Sequence, residues 1–362
     1  MTISPTHLFG QRLRQARTLR GLSLRALAEA LDGQVSHSAL QKYETGKMMP
    51  DSGTLLALVD RLHLRPDYFF QPKPIRLSAI EFRKQTKFGK KMKDRVLEEA
   101  REYLERYLEI ETILGLETSA LPVVDLQATD PNHLEDAAES AAEEIRDRWQ
   151  LGRNPLPNVV EMLEEHGVKV AEVTAEDGFD GFSGWAGEVP VIVLSNRWNG
   201  DLPRKRLTAL HELGHLALKL PDDLPFKTME GICYRFAGAL LIPRDAFVDA
   251  FGTRRRGLVS PGELAAIKAR WGMSIAAIMK RAERLGLISA TAYKRFNIRL
   301  RKAGMHKAEP GRWSGDETTR RFRRLVHRAA ARELITRSKA AGLLGISLRD
   351  FDAEFVETAT SA

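Results

Sequence analysis

The segment Thr208-Ala-Leu-His-Glu-Leu-Gly-His-Leu-Ala-Leu218 sets two histidines four residues apart, with a glutamate directly after the first. On a helix, His211 and His215 lie one turn apart on one face and reach a single metal together. Glu212, rotated by about 100°, then reaches water at an open coordination position. The chemistry of such a set is metal-assisted hydrolysis, with three protein ligands on zinc and a fourth position left for the reacting molecule. Leu207, Leu210, Leu213, Leu216, Ala217 and Leu218 make the surroundings apolar, as a buried active-site helix requires. Residues 229–243 form the next helical pattern, which ends at Pro243 and carries Glu230 near its start. Two histidines and a glutamate from a following helix are a standard zinc set, so Glu230 is the candidate third ligand. Its plainer reading is a carboxylate favoured by a helix dipole. Cys233, three residues further on, is within reach of the metal but reads more simply as a small buried residue.

Other elements must hold this helix in place. Residues 134–149 and 156–166 are helical in pattern, and residues 168–173 alternate as a strand does. Two more strands, residues 182–186 and 189–194, are joined at Gly187-Glu188 and precede the metal helix. An edge strand beside such a metal holds an extended substrate by main-chain pairing. Residues 189–194, with Val189, Val191 and Val193, are the candidate for that strand, the alternative being an interior strand.

The strings Leu207-Thr-Ala-Leu-His-Glu-Leu-Gly-His215 and Glu230-Gly-Ile-Cys-Tyr-Arg-Phe-Ala-Gly-Ala-Leu-Leu-Ile-Pro243 resemble the ImmA/IrrE metallopeptidases, which are bacterial and phage regulatory proteases. Gly181-Phe-Ser-Gly-Trp-Ala-Gly187 and Val189-Pro-Val-Ile-Val-Leu-Ser-Asn196 resemble the strand region ahead of the zinc helix in that family. The resemblance implies His211, His215 and Glu230 as ligands of Zn2+, with Mn2+ or Fe2+ as alternatives, and Glu212 as general base. One position departs from the pattern. The family often has Asn after the cysteine of the second helix, and here it is Tyr234.

At its other end the chain reads as a run of short helices within residues 8–70, with apolar residues at helical spacing and Ser36 or Ser38 as a cap before the third. This run, including Tyr43-Glu-Thr-Gly-Lys47 and Pro50, resembles the Cro/C1-type helix-turn-helix of the XRE regulators. Such a fold lays its recognition helix in the major groove. Ser36, His37, Ser38, Gln41 and Lys42 are the candidates to face DNA. Gln41 is suited to reading adenine, and Lys42, Lys47, Arg17 and Arg25 to holding phosphate. Leu24 stands where these regulators commonly have Gln at the start of the second helix. The net charge of +8 and the pI of about 9.5 suit a nucleic-acid partner.

The expected architecture is mainly α with a small α+β part. A five-helix Cro/C1-like domain (8–70) leads through a basic linker and a long amphipathic helix (71–118) to a zincin-like HExxH peptidase domain with a small sheet (119–250). A helical extension (251–304) and a basic helical tail (305–362) follow. The long helix either packs on the peptidase or joins two chains in a homodimer. The tail faintly suggests a second helix-turn-helix, and a basic solvated face is the preferred reading. One cysteine excludes an intrachain disulfide, and no secretory or membrane-spanning pattern is present, so a cytoplasmic location is expected. The expected partners are a double-stranded DNA operator and a protein substrate. The resemblance implies that the substrate is a helix-turn-helix repressor whose cleavage releases genes for stress response or mobile-element transfer. The alternatives are a repressor or antitoxin-like regulator whose zinc domain senses without cutting.

Overall fold

A computed structural model describes residues 4–64, 66–70, 77–78, 89–130, 132–175, 178–305 and 309–360. Four helices open it: α1 (Pro5–Leu19), α2 (Leu24–Ala30), α3 (His37–Glu44) and α4 (Ser52–Leu62), followed by a 3-10 turn at Pro66–Phe70. Each helix starts where the sequence offers a cap. The side chains of Ser4, Ser23, Ser36 and Asp51 accept hydrogen bonds from backbone N–H groups of the first turn. Phe9, Leu13, Leu27, Leu40, Leu58, Leu62 and Phe69 form the fully buried core of this unit. Leu24 is half-buried against that core, so the departure from Gln substitutes apolar packing for a polar contact.

Strand β1 (Leu77–Ser78) and the 24-residue helix α5 (Lys90–Ile113) come next. The basic linker expected at residues 71–92 lies largely outside the described residues. Helix α5 uses its apolar side twice within the chain. Val96, Ala100 and Leu104 cover one face of the sheet, and Tyr107 and Ile110 pack on the C-terminal helices. Its flank also receives Arg12 of α1 on Glu105. Packing on the domain that follows, the first of the two roles expected for this helix, is therefore one it fills here.

The sheet domain comprises β2 (Val124–Asp125), α6 (Leu134–Arg148), α7 (Val159–Glu165), β3 (Lys169–Val173), β4 (Gly181–Ala186) and β5 (Val189–Ser195). A 3-10 turn (Asn196–Gly200) then leads to α8 (Leu202–Ala217), β6 (Leu218–Lys219) and α9 (Phe226–Leu241). The strand order is β1-β4-β5-β3, with β4 antiparallel to β5 and β3 parallel to it. Gly187 turns the β4–β5 hairpin at φ +66°, a conformation that costs glycine least. The order corrects the expected substrate strand. Val189 to Ser195 is an interior strand hydrogen-bonded on both sides, and Val191 and Val193 turn into the core under α5. Alternation reveals a strand's faces but not its neighbours, which is why the expectation failed. Among the described residues, the edge beside the metal helix is β4. It pairs with β1 only at Trp185 and Ala186, which leaves Gly181–Gly184 without a strand partner there.

Helices α10 (Arg244–Phe251), α11 (Pro261–Trp271), α12 (Ile275–Arg284) and α13 (Ala290–Lys302) share one apolar core with α6 to α9. Residues 309–320 then cross this domain as a strap. Glu309 accepts the N–H groups of Ile275 and Ala276 at the start of α12 and pairs with Lys268. The Trp313 ring lies 4.1 Å from the Arg206 guanidinium. The Glu317 carboxylate is buried against Arg206 of α8 and accepts the N–H groups of Val159 and Val160 at 3.0 and 2.9 Å.

The chain ends in α14 (Arg321–Ala331), α15 (Arg337–Leu344) and α16 (Leu348–Thr360). Phe322, Val326, Ala340, Leu343 and Phe351 form a core with Tyr107 and Ile110, so the tail is a packed three-helix unit and not a solvated face. Its apolar residues are punctuated by Arg, which hid the pattern. At its junction with the sheet domain, Lys169 pairs with Glu111 at 2.7 Å and Arg321 donates to the Tyr107 hydroxyl at 3.1 Å. Glu164 of α7 lies fully buried there. Among the described residues, no helix is long and apolar enough to cross a membrane.

Candidate metal centre

Helix α8 starts at an Asp201 cap with Pro203 in its first turn and ends where the chain turns extended at Leu218. His211 is completely buried and Glu212 nearly so. Helix α9 crosses α8 at Gly214. A Cβ there would stand 3.2 Å from the Cys233 side chain and 3.3 Å from Phe236, so the glycine of the motif permits the close crossing. That crossing brings Glu230, on the second turn of α9 and beyond the reach of the helix-dipole explanation, onto the two histidines.

The three donor groups converge. His215 Nε2 stands 3.2 Å from His211 Nε2, Glu230 Oε1 is 3.1 Å from His215 Nε2, and Glu230 Oε2 is 3.5 Å from His211 Nε2. Ligands roughly 2.0–2.1 Å from a tetrahedral ion stand about 3.3 Å from one another. The two histidine nitrogens are thus spaced as two corners around one small ion, each with a Glu230 oxygen beside it, and two nitrogens with one carboxylate are a donor set that zinc accepts. Burial pulls the His215 imidazole down, but the Cys233 sulfur and the Glu230 carboxylate outweigh it and push its pKa up to about 11. The Glu230 and Glu212 carboxylates here favour a cation.

Two further side chains hold the set, and sequence reasoning assigned neither its place. Ser183 of β4 donates its hydroxyl to Glu212 Oε2 at 3.1 Å, inside the protein. The Cys233 sulfur lies 3.6 Å from His215 Nδ1, behind the ring and not at the metal position. A partner on the outer nitrogen fixes a ligand's tautomer and orientation. Strand alternation places Ser183 on the face of Gly181 and Trp185, and a hydroxyl inside an otherwise apolar strand was the available signal. The Tyr234 ring packs 4.0 Å from the His211 ring, half-buried, as a wall of the site.

On the helix-turn-helix unit, His37, Ser38, Gln41 and Lys42 are exposed on α3, with Arg25 and Lys47 exposed nearby. Ser36 is also exposed, and its hydroxyl caps α3 on Ala39 N–H at 3.1 Å. Arg17 is engaged elsewhere, which corrects its expected role as a phosphate contact. Its guanidinium grips both oxygens of Glu44 at 2.6 and 2.9 Å and donates to the Leu22 carbonyl at 2.7 Å, bracing α1 against α3.

Fold and site together define a helix-turn-helix chain joined to a metallopeptidase-like domain. Comparison with known families makes this particular: the helix-turn-helix family matches residues 13–69, and the IrrE N-terminal-like domain matches residues 163–283. The chain therefore carries an XRE-type helix-turn-helix domain followed by an ImmA/IrrE-like domain. An uncharacterized HTH-type transcriptional regulator of Sinorhizobium fredii, y4aM, is 38% identical over 65 residues, which are 18% of this chain and 44% of that protein. The match thus spans less than half the length of that relative.

Proposed function

We propose that this chain is a DNA-binding regulator whose second domain is a zinc-dependent endopeptidase that hydrolyses a helix-turn-helix repressor, either a partner or its own kind. The observation that supports this best is the convergence of His211, His215 and Glu230 on one point next to a buried glutamate that Ser183 holds. When bound, zinc supplies a Lewis acid that polarises the scissile carbonyl and lowers the pKa of water. Glu212 takes the proton of the attacking water and returns it to the departing amine. The Ser183 hydroxyl keeps the Glu212 carboxylate oriented for both transfers. The edge of β4 at Gly181–Gly184, which has no strand partner among the described residues, is the place for main-chain pairing with an extended peptide. In the amino-terminal unit, α3 enters the major groove, Gln41 addresses a base edge, and Lys42, Lys47 and Arg25 hold phosphates.

The test incubates wild type and Glu212→Gln, each loaded with zinc or manganese, alone and with the repressor encoded beside the gene, and reads intact mass. Cleavage by wild type alone supports the proposal and locates the cut. Bound metal with no cleavage leaves a DNA-binding regulator whose second domain senses a signal.

A further inference from the structure

One helical turn from the metal ligands, along both helices that carry them, a pocket of about 270 Å³ opens between α8, α9, α12 and α13. Leu207 lines it four residues before His211, and Tyr234 lines it four residues after Glu230. The Tyr234 ring, in contact with the His211 ring, is therefore the wall shared by the metal site and the pocket. One turn is about 5.4 Å of helix, within reach of the side chain next to a scissile bond. Leu207, Met273, Ala277 and Tyr293 give the pocket an apolar lining.

Its remaining walls are cationic, and the way these cations are paired differs. Arg281 is bidentate on Glu139 at 2.9 and 3.0 Å. Arg235 reaches the same glutamate at 2.6 Å and Glu135 at 3.2 Å. Lys280 holds Glu283 at 2.8 Å and lies 5.2 Å from the Tyr293 ring. Arg284 is the exception: among the described residues its guanidinium has no ion pair and no hydrogen bond, although it is half-buried and lines the pocket. Burial holds its pKa below the ordinary arginine value, with the charge of Glu135 opposing. The carboxylates of Glu135, Glu283 and Glu139 act on this guanidinium through space without pairing with it, which leaves its planar fork free to match a carboxylate.

We propose that this pocket receives the substrate side chain adjacent to the scissile bond and selects glutamate, with its methylenes on Leu207 and Met273 and its carboxylate on Arg284. The inference rests on the peptidase reading for the words substrate and scissile. Its physical content is an acidic-peptide site beside the metal.

Two measurements on the full-length, zinc-loaded chain separate the two. In the first, wild type digests a library of peptides and the new termini are sequenced. Glutamate is enriched at one fixed position beside the cut, and Arg284→Glu shifts that preference to lysine. In the second, calorimetry on Glu212→Gln compares acetyl-Gly-Gly-Glu-Gly amide with its glutamine counterpart. The acidic peptide binds at least tenfold more tightly, and Arg284→Gln removes the difference. Because the peptide exchange uses unchanged Arg284 protein, a poorly folded Arg284 variant does not blunt the test. Cleavage without acidic preference, with both peptides binding alike, overturns the pocket assignment and leaves the peptidase standing. No cleavage but tenfold acidic selectivity through Arg284 overturns the peptidase reading and keeps the site. No cleavage and no selectivity overturns both.

Discussion

The chain has two helix pairs suited to chemistry, and they treat their polar side chains in opposite ways. The α2–α3 pair buries only apolar residues and leaves His37, Ser38, Gln41 and Lys42 in water. The α8–α9 pair draws His211, Glu212, Arg206 and Arg235 into its interior and answers them with Glu230, Ser183, Glu317 and Glu139. An exposed set gains its energy from the ligand's own charge, and its members contribute separately. A buried set is oriented before any ligand arrives, and each member left without its partner retains a desolvated charge. Changes in the second pair should therefore cost far more than changes in the first.

The sharpest test lies at the metal. His211→Ala is expected to abolish both metal binding and hydrolysis, whereas Glu212→Gln keeps stoichiometric metal by elemental analysis and loses 10²–10⁴-fold or more in kcat/KM. Full activity in Glu212→Gln would refute the assigned base. Next comes the buried ion pair of the strap. Glu317→Ala strands the Arg206 guanidinium and two N–H groups of α7, so it should cost about 3–5 kcal/mol in urea unfolding. The double change Arg206→Met with Glu317→Leu should recover much of that loss, and a strap that merely decorates the surface would show neither effect.

A third test uses pH. Burial pushes the Glu164 carboxyl up to about 7, against the opposing pull of Arg321, Lys169 and Tyr107. Its folded-state pKa is above the unfolded one, so its contribution to stability is present below about pH 4.5 and lost as pH rises through about 7. The loss is on the order of 3 kcal/mol. Between pH 5 and pH 8 the melting temperature of wild type should fall more than that of Glu164→Gln, and parallel curves would show that Glu164 does not titrate in this window. The smallest effects belong to the exposed pair. Gln41→Ala should cost about 1–3 kcal/mol at one operator position, while Lys42→Ala weakens all sequences alike and lowers the salt slope by about one. Fluorescence anisotropy at several salt concentrations separates the two patterns.

What the sequence disclosed about this contrast follows from distance along the chain. The ligand spacing, the Ser36 cap and the short amino-terminal helices are written within a few residues of one another, and the structure has these elements within a few positions of where periodicity placed them. Ser183 on Glu212, Cys233 behind His215 and Glu317 on Arg206 join residues 29, 18 and 111 positions apart, and no local pattern announces such pairings. The misplaced substrate strand has a related cause: β5 is interior because β3, which comes before β4 in the chain, pairs with it on the side away from β4, and alternation within β5 does not reveal that neighbour. Arg17 was misread for a subtler reason: a basic residue near a DNA-reading helix looks alike in sequence whether it faces phosphate or Glu44.

The strap also has a bearing on the order in which the molecule can be completed. A ribosome delivers Arg206 and both histidines of the metal helix well before Glu317, which follows Arg206 by 111 residues. Until that carboxylate emerges, the cation has the Leu156 carbonyl but no buried counter-charge, and the start of α7 lacks its acceptor. The candidate metal centre is therefore finished only after Glu317 has been made, and a product truncated before residue 317 carries His211, His215 and Glu230 yet lacks the last stay of the helix that presents the two histidines.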